Sequence, residues 1–475
     1  MKNKHFKVLY SFCIIAVPLF LFAQERKPNI VFIMADDLGY GELGSYGNTF
    51  NETPNLDKLA TQGMRFTQAY AAAPICSPTR ASLITGQYPA RVGITDFLPE
   101  HTERWLDPAK YFTINEALSQ AGYHTGIVGK WHLDTDFKNN KGGPKAHGFD
   151  EVIGTETRYI ADGDYVFPYG KINTFTEGKK DEYLTDRQSD EACQYIERNK
   201  AEPFFLYLTF YSVHTKLEAP ENIVNKYKTK FDRKYGNGSA EKIYGKDNVR
   251  HEAQHKDNPY LAAMLERIDY GVGQIMETLK KHNLDENTIF VFFSDNGGAG
   301  NVGNNGSLRL NKSWLYEGGI REPLIVCWPK KIKAGSVNNT PVSSIDFYPT
   351  FAAAAGANLK GKGIIDGVNL LPLWMGKSGL DRDALFWHYP SETGKWANRM
   401  SSAVRKGDYK LIEFYKNNRL ELYNLKDDVS EKHNLAQELP QKTDELKQLL
   451  DSWKSEVNAE TPVINKTGSP KKTDE

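Results

Sequence analysis

Four short apolar runs, each followed at once by polar or ionisable residues, constrain the fold of this 475-residue chain more than any other feature of its sequence. The runs occupy residues 29–35, 123–128, 203–211 and 288–294. Near-continuous apolar runs of this length are typical of strands buried on both faces. Amphipathic segments lie between them, at residues 54–62, 112–121, 184–199 and 259–282. The alternation predicts an α/β fold in which a large, mainly parallel sheet is sandwiched by helices.

Polar and ionisable residues follow each of the four runs. They are Asp36, Asp37, Lys130, His132, His214, Asp295 and Asn296. Because ligands bind beyond the carboxyl ends of parallel strands, we expect these side chains to converge on one site. The carboxylate and amide oxygens among them suit a hard cation such as Ca²⁺ or Mg²⁺. The sequence therefore predicts a metal site at this edge of the sheet.

Positively charged and proton-transferring groups surround the same predicted opening. Lys130, His132 and His214 follow strands, and Lys312 lies beyond the fourth run. A metal ion combined with several cations suits an anionic tetrahedral substrate, whose charge must be stabilised as a leaving oxygen departs. With residue 76 as nucleophile, the pattern predicts hydrolysis of a phosphate or sulfate ester through a covalent intermediate.

The segment from Cys76 to Gly86 is predicted to begin and end a helix. Pro78 suits the first helical turn, and Gly86 suits the C-terminal stop. Cys76 would then lie at the helix N-terminus, where unpaired N–H groups and Arg80, about one turn along, would stabilise an anion. A small cysteine buried beneath a helix for packing is the structural alternative.

The segment Cys76-Ser77-Pro78-Thr79-Arg80, followed by Ala-Ser-Leu-Ile-Thr-Gly, resembles the C-x-P-x-R signature of the type I sulfatases. These formylglycine-dependent, arylsulfatase-like enzymes belong to the alkaline phosphatase superfamily. Further motifs with the same resemblance lie at residues 29–40, 129–132, 294–298 and 312–323. The resemblance implies the sulfatase fold, in which a smaller C-terminal antiparallel four-stranded sheet with a helix accompanies the large sheet.

The resemblance also implies cofactors and roles. A maturation enzyme would convert Cys76 to Cα-formylglycine (3-oxoalanine), whose hydrated aldehyde attacks sulfur with one hydroxyl and expels sulfate through the other. One Ca²⁺ would be bound by Asp36, Asp37, residue 76, Asp295 and Asn296. Arg80, Lys130 and Lys312 would neutralise the sulfate oxygens. His214 with Lys312 would donate the proton to the departing alcohol, and His132 would accept one, although the division between the two histidines stays open.

The substrate's alcohol part is expected to contact loops and the C-terminal region. Residues 134–180 and 216–258 have weak periodicity and are predicted to form loops around the mouth of the site. Arg158 in the first loop, and His388 and Arg399 near the C-terminus, are candidate substrate-binding residues. Basic and aromatic groups of this kind suit a sulfated sugar.

The chain ends have their own character. Residues 1–24 contain three lysines and then an apolar run, which predicts a signal peptide; a retained anchor is the alternative. Residues 25–383 would form the catalytic domain and residues 384–464 a C-terminal subdomain, with strands at 402–405, 409–414 and 420–424 and a helix at about 439–457. Residues 465–475 are predicted to be a disordered tail.

Removal of residues 1–24 would take away three basic residues and no acid, and the mature chain would carry a net charge of −3. This charge gives no general attraction to nucleic acid. No later stretch is long enough for a membrane span, so the sequence predicts an exported protein, periplasmic or secreted. Cys193 and Cys327 could form a disulfide or remain two separate thiols.

The predicted function is an exported sulfatase that acts on sulfated carbohydrates. Its substrates would be oligosaccharides, cleaved in an exo manner, from a polysaccharide such as ulvan, carrageenan or a glycosaminoglycan. A phosphodiesterase or phosphonate monoester hydrolase of the same superfamily is one alternative. A non-catalytic binder of sulfated glycan is another, if Cys76 is never converted.

Overall fold

The computed structural model describes residues 26–99, 104–134, 141–155, 164–169, 172, 174–244, 256–300, 302–390 and 397–462. The predicted signal peptide, the predicted tail and Arg158 lie outside the described residues. Within those ranges, no helix combines the length and the apolar character that crossing a bilayer requires.

Strands and helices alternate along most of the described chain. The strands are β1 Asn29–Ala35, β2 Met64–Tyr70, β3 His124–Gly129, β4 Glu151–Ile153, β5 Phe204–Thr209, β6 Thr288–Ser294, β7 Arg321–Cys327, β8 Ser336–Asn338, β9 Val342–Ser343, β10 Ala384–Tyr389, β11 Ser401–Lys406, β12 Tyr409–Phe414 and β13 Arg419–Asn424. The α-helices are α1 Pro54–Gln62, α2 Cys76–Thr85, α3 Pro89–Val92, α4 Ile114–Gln120, α5 Leu184–Asn199, α6 Glu221–Tyr235, α7 Ser239–Tyr244, α8 Pro259–Lys281, α9 Glu317–Ile320, α10 Phe347–Ala355, α11 Leu371–Trp374 and α12 Pro440–Glu456.

The larger sheet has nine strands in the described residues, in the order β4-β3-β5-β1-β6-β7-β2-β8, with β9 also paired to β2. From β4 to β6 all neighbours are parallel, whereas β7 is antiparallel to both β6 and β2. The four strands predicted from the sequence are the adjacent strands β3, β5, β1 and β6. Their carboxyl ends therefore lie side by side, as a shared site requires.

Helices cover both faces of this sheet, because the strands are apolar on both sides. In β1, Val31 and Ile33 pack with α1, α5, α6 and α8. Ile30 and Phe32, on the opposite face, pack with α2, α4 and α10. Every residue of β1, β5 and β6 is buried. The predicted helix-covered, mainly parallel sheet is thus confirmed.

The smaller sheet is antiparallel, with strand order β10-β11-β12-β13. Apolar side chains of α12, including Leu450, pack on one face of it. On its other face, Trp387 and Tyr423 join a cluster that contains Tyr316 and Cys76. The predicted four-stranded sheet with a helix is confirmed, and it lies against the start of α2.

Two features differ from the sequence-based prediction. Residues 216–258 were expected to form a loop, but they contain α6 and α7, and residues 134–180 contain the short strand β4. The buried residues of α6, which are Ile223, Val224, Tyr227 and Phe231, recur at helical spacing, so the sequence carried a signal for this helix that the prediction missed. The antiparallel pair β2 and β7 was not predicted at all.

Candidate active site

Cys76 occupies the first position of α2 and is 2% exposed. Burial raises the pKa of its thiol, although Lys130 and Lys312 oppose the shift. An unmodified Cys76 is therefore protonated at neutral pH and is a poor nucleophile. Cys76, Cys193 and Cys327 are all free thiols, so the possible disulfide between the last two is not formed.

The fully buried guanidinium of Arg80, one turn along α2, connects this helix to three strand ends. Its Nε and Nη2 donate to Asp295 Oδ2, after β6, at 3.1 and 2.7 Å. Its Nη1 donates to the carbonyl of Lys130, after β3, at 3.0 Å and to Thr209 Oγ1, in β5, at 2.5 Å. Four of the roughly five N–H donors of an arginine are thus used within the protein. Arg80 fixes the geometry of the site as well as its charge.

Carboxylates and an amide follow β1 and β6. Lys130 Nζ donates to Asp36 Oδ2 at 2.5 Å. The Asp37 amide donates to Asp295 Oδ1 at 3.1 Å, and Asn296 Nδ2 donates to Asp37 Oδ1 at 2.8 Å. Burial, together with Asp295, raises the pKa of Asp36 to about 8. The pKa reflects how closely these acids are crowded in a site from which water is excluded.

Two oxygens of this group lack hydrogen-bond partners. Asp36 Oδ1 and Asn296 Oδ1 are buried and accept no hydrogen bond from any of the described residues. Buried acceptors are normally satisfied, and a hard cation would satisfy both of these. Asp36, Asp37 and His214 also each offer a ligand atom within 4.8 Å of the others. The donor set therefore fits a divalent cation bound through oxygen.

Lys312 and His214 form a pair at the mouth of the site. Lys312 Nζ lies 2.7 and 2.8 Å from the two oxygens of Asp37 and 3.2 Å from His214 Nε2. His214 Nδ1 lies 2.6 Å from the carbonyl oxygen of Thr215, which can only accept, so Nδ1 carries the hydrogen and Nε2 accepts from Lys312. Burial, and then Lys312, lower the pKa of His214 to about 3. In this pair, Lys312 holds the proton and His214 receives its hydrogen bond.

His132 follows β3 and is fully buried, and its hydrogen bonding leaves one ring nitrogen able to accept a proton. Its Nε2 lies 3.0 Å from the carbonyl of Leu98, so Nε2 is the donor and Nδ1 carries the lone pair. Burial, and then Lys130, hold the pKa of His132 well below its ordinary value. The neutral ring is thus the form that can accept a proton.

Left-handed backbone conformations occur at several of these positions. Asp37 and His132 both have φ of 58°, and Ser313, next to Lys312, has φ of 70°. Such conformations are uncommon for residues other than glycine and cluster at functional sites. They turn the chain sharply after a strand, which brings consecutive side chains to the same opening.

The structure places two of the three candidate substrate-binding residues. Arg399 is half-buried, with Cζ 5.2 Å from the Trp314 ring centroid and Nη1 3.5 Å from the carbonyl oxygen of Lys312. His388 is 4% exposed, and its Nδ1 and Nε2 lie 2.7 Å from Ser402 Oγ and 2.8 Å from the carbonyl of Glu460. Arg399 therefore packs against the loop that carries Lys312, whereas His388 forms its hydrogen bonds within the C-terminal region.

Sequence reasoning missed two further groups near the site. Thr209 is the last residue of the apolar strand β5, and nothing in the local sequence indicates that it accepts a hydrogen bond from Arg80. Glu322, in β7, is fully buried, and within the part of the chain that the structure describes neither of its carboxylate oxygens is hydrogen-bonded. Burial, followed by Asp295 and Asp37, raises the pKa of Glu322 well above its ordinary value. Its position within the motif at residues 312–323 was the only available signal.

These residues form a small, water-poor site whose chemistry can be inferred. The start of a helix presents residue 76, Lys130 and Lys312 supply positive charge, and acidic oxygens fit a metal ion. The neutral His132 can accept a proton, and the pair of Lys312 and His214 can donate one. The arrangement suits transfer of an anionic tetrahedral group to residue 76.

Comparisons with known proteins agree with this chemistry. The family model described as "Sulfatase" matches residues 28–357, and the one described as "N-sulphoglucosamine sulphohydrolase, C-terminal" matches residues 307–458. A sulfatase of Formosa agariphila is 32% identical over an alignment of 553 residues, which covers 97% of this chain and 95% of the relative.

Two solved structures are similar over nearly the whole chain. The structure of Ps i-CgsB in complex with k-i-k-neocarrahexaose is 31% identical with a TM-score of 0.76, and the match covers 93% of this chain and 96% of that one. A protein described under the metabolism of multiple glycosaminoglycans by Bacteroides thetaiotaomicron (BT33336S-sulf) is 28% identical with a TM-score of 0.72. That match covers 90% of this chain and 100% of the other.

Proposed function

The chain belongs to the sulfatase family, as a type I member of the alkaline phosphatase superfamily and a sulfuric ester hydrolase, and we propose that its substrates are sulfated oligosaccharides. The observation that carries the proposal is the placement of Cys76 at the start of α2, between Lys130, Lys312 and the acidic oxygens. The similarity to Ps i-CgsB, whose structure contains a neocarrahexaose, supports a carbohydrate as the alcohol part. Exo action on products of a polysaccharide such as carrageenan, ulvan or a glycosaminoglycan is part of the proposal.

We propose that Cys76 is converted to Cα-formylglycine by a maturation enzyme before the protein is active. The raised pKa of the buried thiol supports this proposal, because the unmodified side chain is a poor nucleophile. A hydrated aldehyde at this position supplies two hydroxyl groups, one for attack on sulfur and one for expulsion of sulfate.

We propose Ca²⁺ as the metal, bound by Asp36, Asp37, residue 76, Asp295 and Asn296. The two buried oxygens without partners support it, as does the absence of soft ligands among these four acidic and amide side chains. When bound, the cation supplies positive charge to the sulfate oxygens.

The protein's own residues would then bind the substrate and transfer protons. Lys130 and Lys312 bind sulfate oxygens, and Arg80 holds Asp295 and the ends of β3 and β5 in register with α2. The pair of His214 and Lys312 supplies the proton to the departing alcohol oxygen. His132 Nδ1 accepts a proton during release of sulfate. Arg399, beside Lys312 and Trp314, binds the sugar.

We also propose that residues 1–24 direct export and are removed, so that the protein acts in the periplasm or outside the cell. The order of lysines followed by an apolar run supports this. N-terminal sequencing of the protein from the native host's periplasm tests it. A mature N-terminus close to residue 25 is expected, and an intact residue 1 in the cytoplasm would contradict it.

The test of the proposed reaction is sulfate release across a panel of defined sulfated oligosaccharides, with a matched set of phosphodiesters and phosphonate monoesters. Turnover of at least one sulfated oligosaccharide above every phosphorus ester is expected. Higher turnover of a phosphorus ester would favour the superfamily alternative. Mass spectrometry of the peptide covering residues 65–91 tests the conversion, and unmodified Cys76 in protein from the native host would favour a non-catalytic glycan binder.

A further inference from the structure

The loop that carries Lys312, residues 309–317, is held at both of its ends by one residue of the C-terminal subdomain. Arg309 Nη1 donates to the carbonyl oxygen of Glu431 at 2.5 Å, and the Glu317 amide donates to Glu431 Oε2 at 2.7 Å. Glu431 lies between β13 and α12, is fully buried and has φ of 52°. Glu431 thus contacts both ends of the loop that carries Lys312, the Arg309 end through its backbone carbonyl and the Glu317 end through its carboxylate.

A buried ion network stabilises this contact. Lys410, in β12, donates to Glu431 Oε1 at 3.0 Å and to Glu317 Oε1 at 2.9 Å. Tyr70 and Arg321 donate to the other oxygen of Glu317 at 2.8 and 3.2 Å. Lys410, Glu317 and Glu431 have no exposed side-chain surface. Buried ion networks are often no more stabilising than apolar packing of the same volume, and in some proteins they fix a specific geometry instead.

The inner side of the same loop contacts the rest of the site. The Lys312 amide donates to the carbonyl of Gly298 at 3.2 Å, and the Ser313 amide donates to that of Pro74 at 2.7 Å. Gly298 follows the acidic residues after β6, and Pro74 precedes α2. The position of Lys312 Nζ relative to residue 76 therefore depends on a loop held between these inner contacts and Glu431.

We propose that Glu431, supported by Lys410, is a positioning residue for Lys312, through which the C-terminal subdomain controls the catalytic geometry. The inference rests on the proposed function only in assigning Lys312 to the sulfate ester. Displacements of about 1 Å in such a group cost up to about 100-fold in rate. Loss of the Glu431 carboxylate should thus lower kcat through Lys312, in addition to the stability lost when Lys410 keeps only Glu317 as its counter-ion.

A double-mutant cycle tests this with Glu431→Ala, Lys312→Ala and the double variant, using sulfate release from the best substrate of the panel. Glu431→Ala is expected to lower kcat by at least about 10-fold in the wild-type background and to change it by less than about 2-fold in the Lys312→Ala background. Equal effects in both backgrounds would overturn the inference. If the wild-type protein turns over no sulfate ester, the proposed function fails, and the next measurement still tests the contact.

That measurement is amide hydrogen exchange of peptides covering residues 307–320. Faster exchange is expected in Glu431→Ala and in Arg309→Met, which removes the hydrogen bonds of Arg309 to the Glu431 carbonyl and to the Tyr423 hydroxyl and leaves Lys410, Glu317 and Glu431 paired. The matched control, Lys454→Met, breaks the 2.6 Å contact of Lys454 with Glu413 in the same subdomain. It should change neither the exchange of this loop nor kcat. Should Glu431→Ala fail to fold, Arg309→Met takes its place in the cycle, and unchanged exchange in Arg309→Met would overturn the inference.

Discussion

Lys130 Nζ lies 2.5 Å from Asp36 Oδ2, and neither side chain has any exposed surface. The contact joins the end of β3 to the end of β1, so that two strands contribute opposite charges to one water-poor site. Removing one partner of such a pair leaves the other charge buried without its counter-ion, which is far more costly than the loss of a surface ion pair.

At about pH 9, above the pKa of Asp36 in the metal-free fold, Lys130→Met should therefore destabilise the metal-free protein by about 3 kcal/mol. It should also lower kcat/KM at least about 100-fold, because a cation facing the sulfate oxygens is lost. Because the remaining acidic oxygens would bind Ca²⁺ more tightly, added calcium should raise the Tm of the variant more than that of the wild type. Thermal unfolding with chelator and with calcium measures both shifts, and equal calcium shifts would contradict this account.

Calcium stabilisation should depend on pH through Asp36. The pKa of Asp36 in the metal-free fold, about 8, lies above its ordinary value of 3.8, so the folded state holds a proton that the unfolded chain has released between these values. In that window the stability of the metal-free protein should fall as pH rises, by up to about 1.4 kcal/mol per pH unit. Although burial opposes it, Lys312 and His214 hold the pKa of Asp37 well below its ordinary value, which keeps Asp37 out of this window.

The expected result is a calcium-induced rise in Tm that increases from pH 5 to pH 8 and then levels off. Ca²⁺ binds the ionised carboxylate, so it gains affinity as Asp36 loses its proton. Asp36→Asn, which cannot titrate, is the matched variant and should show a smaller rise that varies little with pH. A calcium effect that is constant with pH in the wild type would exclude Asp36 as a titrating ligand.

The central strands and the residues that follow them were predictable from local sequence, because β1, β5 and β6 are buried on both faces and are nearly continuous in apolar residues. Strand β2 contains Arg65, Thr67 and Gln68, whose side chains are only partly buried, and it has no such pattern. Strand β7 begins Arg-Glu-Pro, which is unusual for a buried strand. Both strands are held by pairing between distant segments, because β7 pairs with β6 and β2, and β2 pairs also with β8 and β9.

Contacts between distant segments could not be predicted in the same way. Asp269, in α8, accepts hydrogen bonds from the amides of Asn55 and Leu56 and so caps α1, whose own N-cap residue Thr53 makes no such bond. Glu431 meets the Lys312 loop more than a hundred positions away along the chain. Such partners depend on which surfaces the fold brings together, and no local periodicity encodes them.

Replacing the nucleophile should remove activity and leave the fold intact. Cys76→Ala is expected to lower turnover at least about 1,000-fold, because no attacking oxygen remains at the start of α2. The removed side chain is small, so the Tm should change by a few degrees at most. Cys193→Ala, on α5, is the matched control and should keep full turnover. Residual activity of Cys76→Ala close to that of the wild type would mean that another residue attacks sulfur.

Arg399 and His388 should differ in their effect on substrate binding. Arg399→Ala is expected to raise KM for a sulfated oligosaccharide about 10-fold, because a charged hydrogen-bond donor beside Lys312 is lost. His388→Gln should leave KM at pH 7 within about 2-fold of the wild-type value, since both ring nitrogens already bond within the protein. Similar increases in KM for both variants would show that His388 reaches the sugar.

The structural role of His388 should appear instead in the pH dependence of stability. Burial, and to a smaller extent Lys454, lower the pKa of His388 to about 4 from an ordinary value of 6.5. As pH falls from 6.5 to about 4, the unfolded chain gains a proton that the folded protein does not, so this residue removes stability by up to about 1.4 kcal/mol per pH unit. His388→Gln should be less stable than the wild type at pH 7, because both ring nitrogens of His388 form hydrogen bonds within the protein. Because glutamine does not titrate, the Tm of the variant should decline less steeply than that of the wild type between pH 6.5 and 4.5. Parallel declines in the two proteins would mean that His388 is protonated in the folded state, in which case its hydrogen bond from Ser402 must be broken.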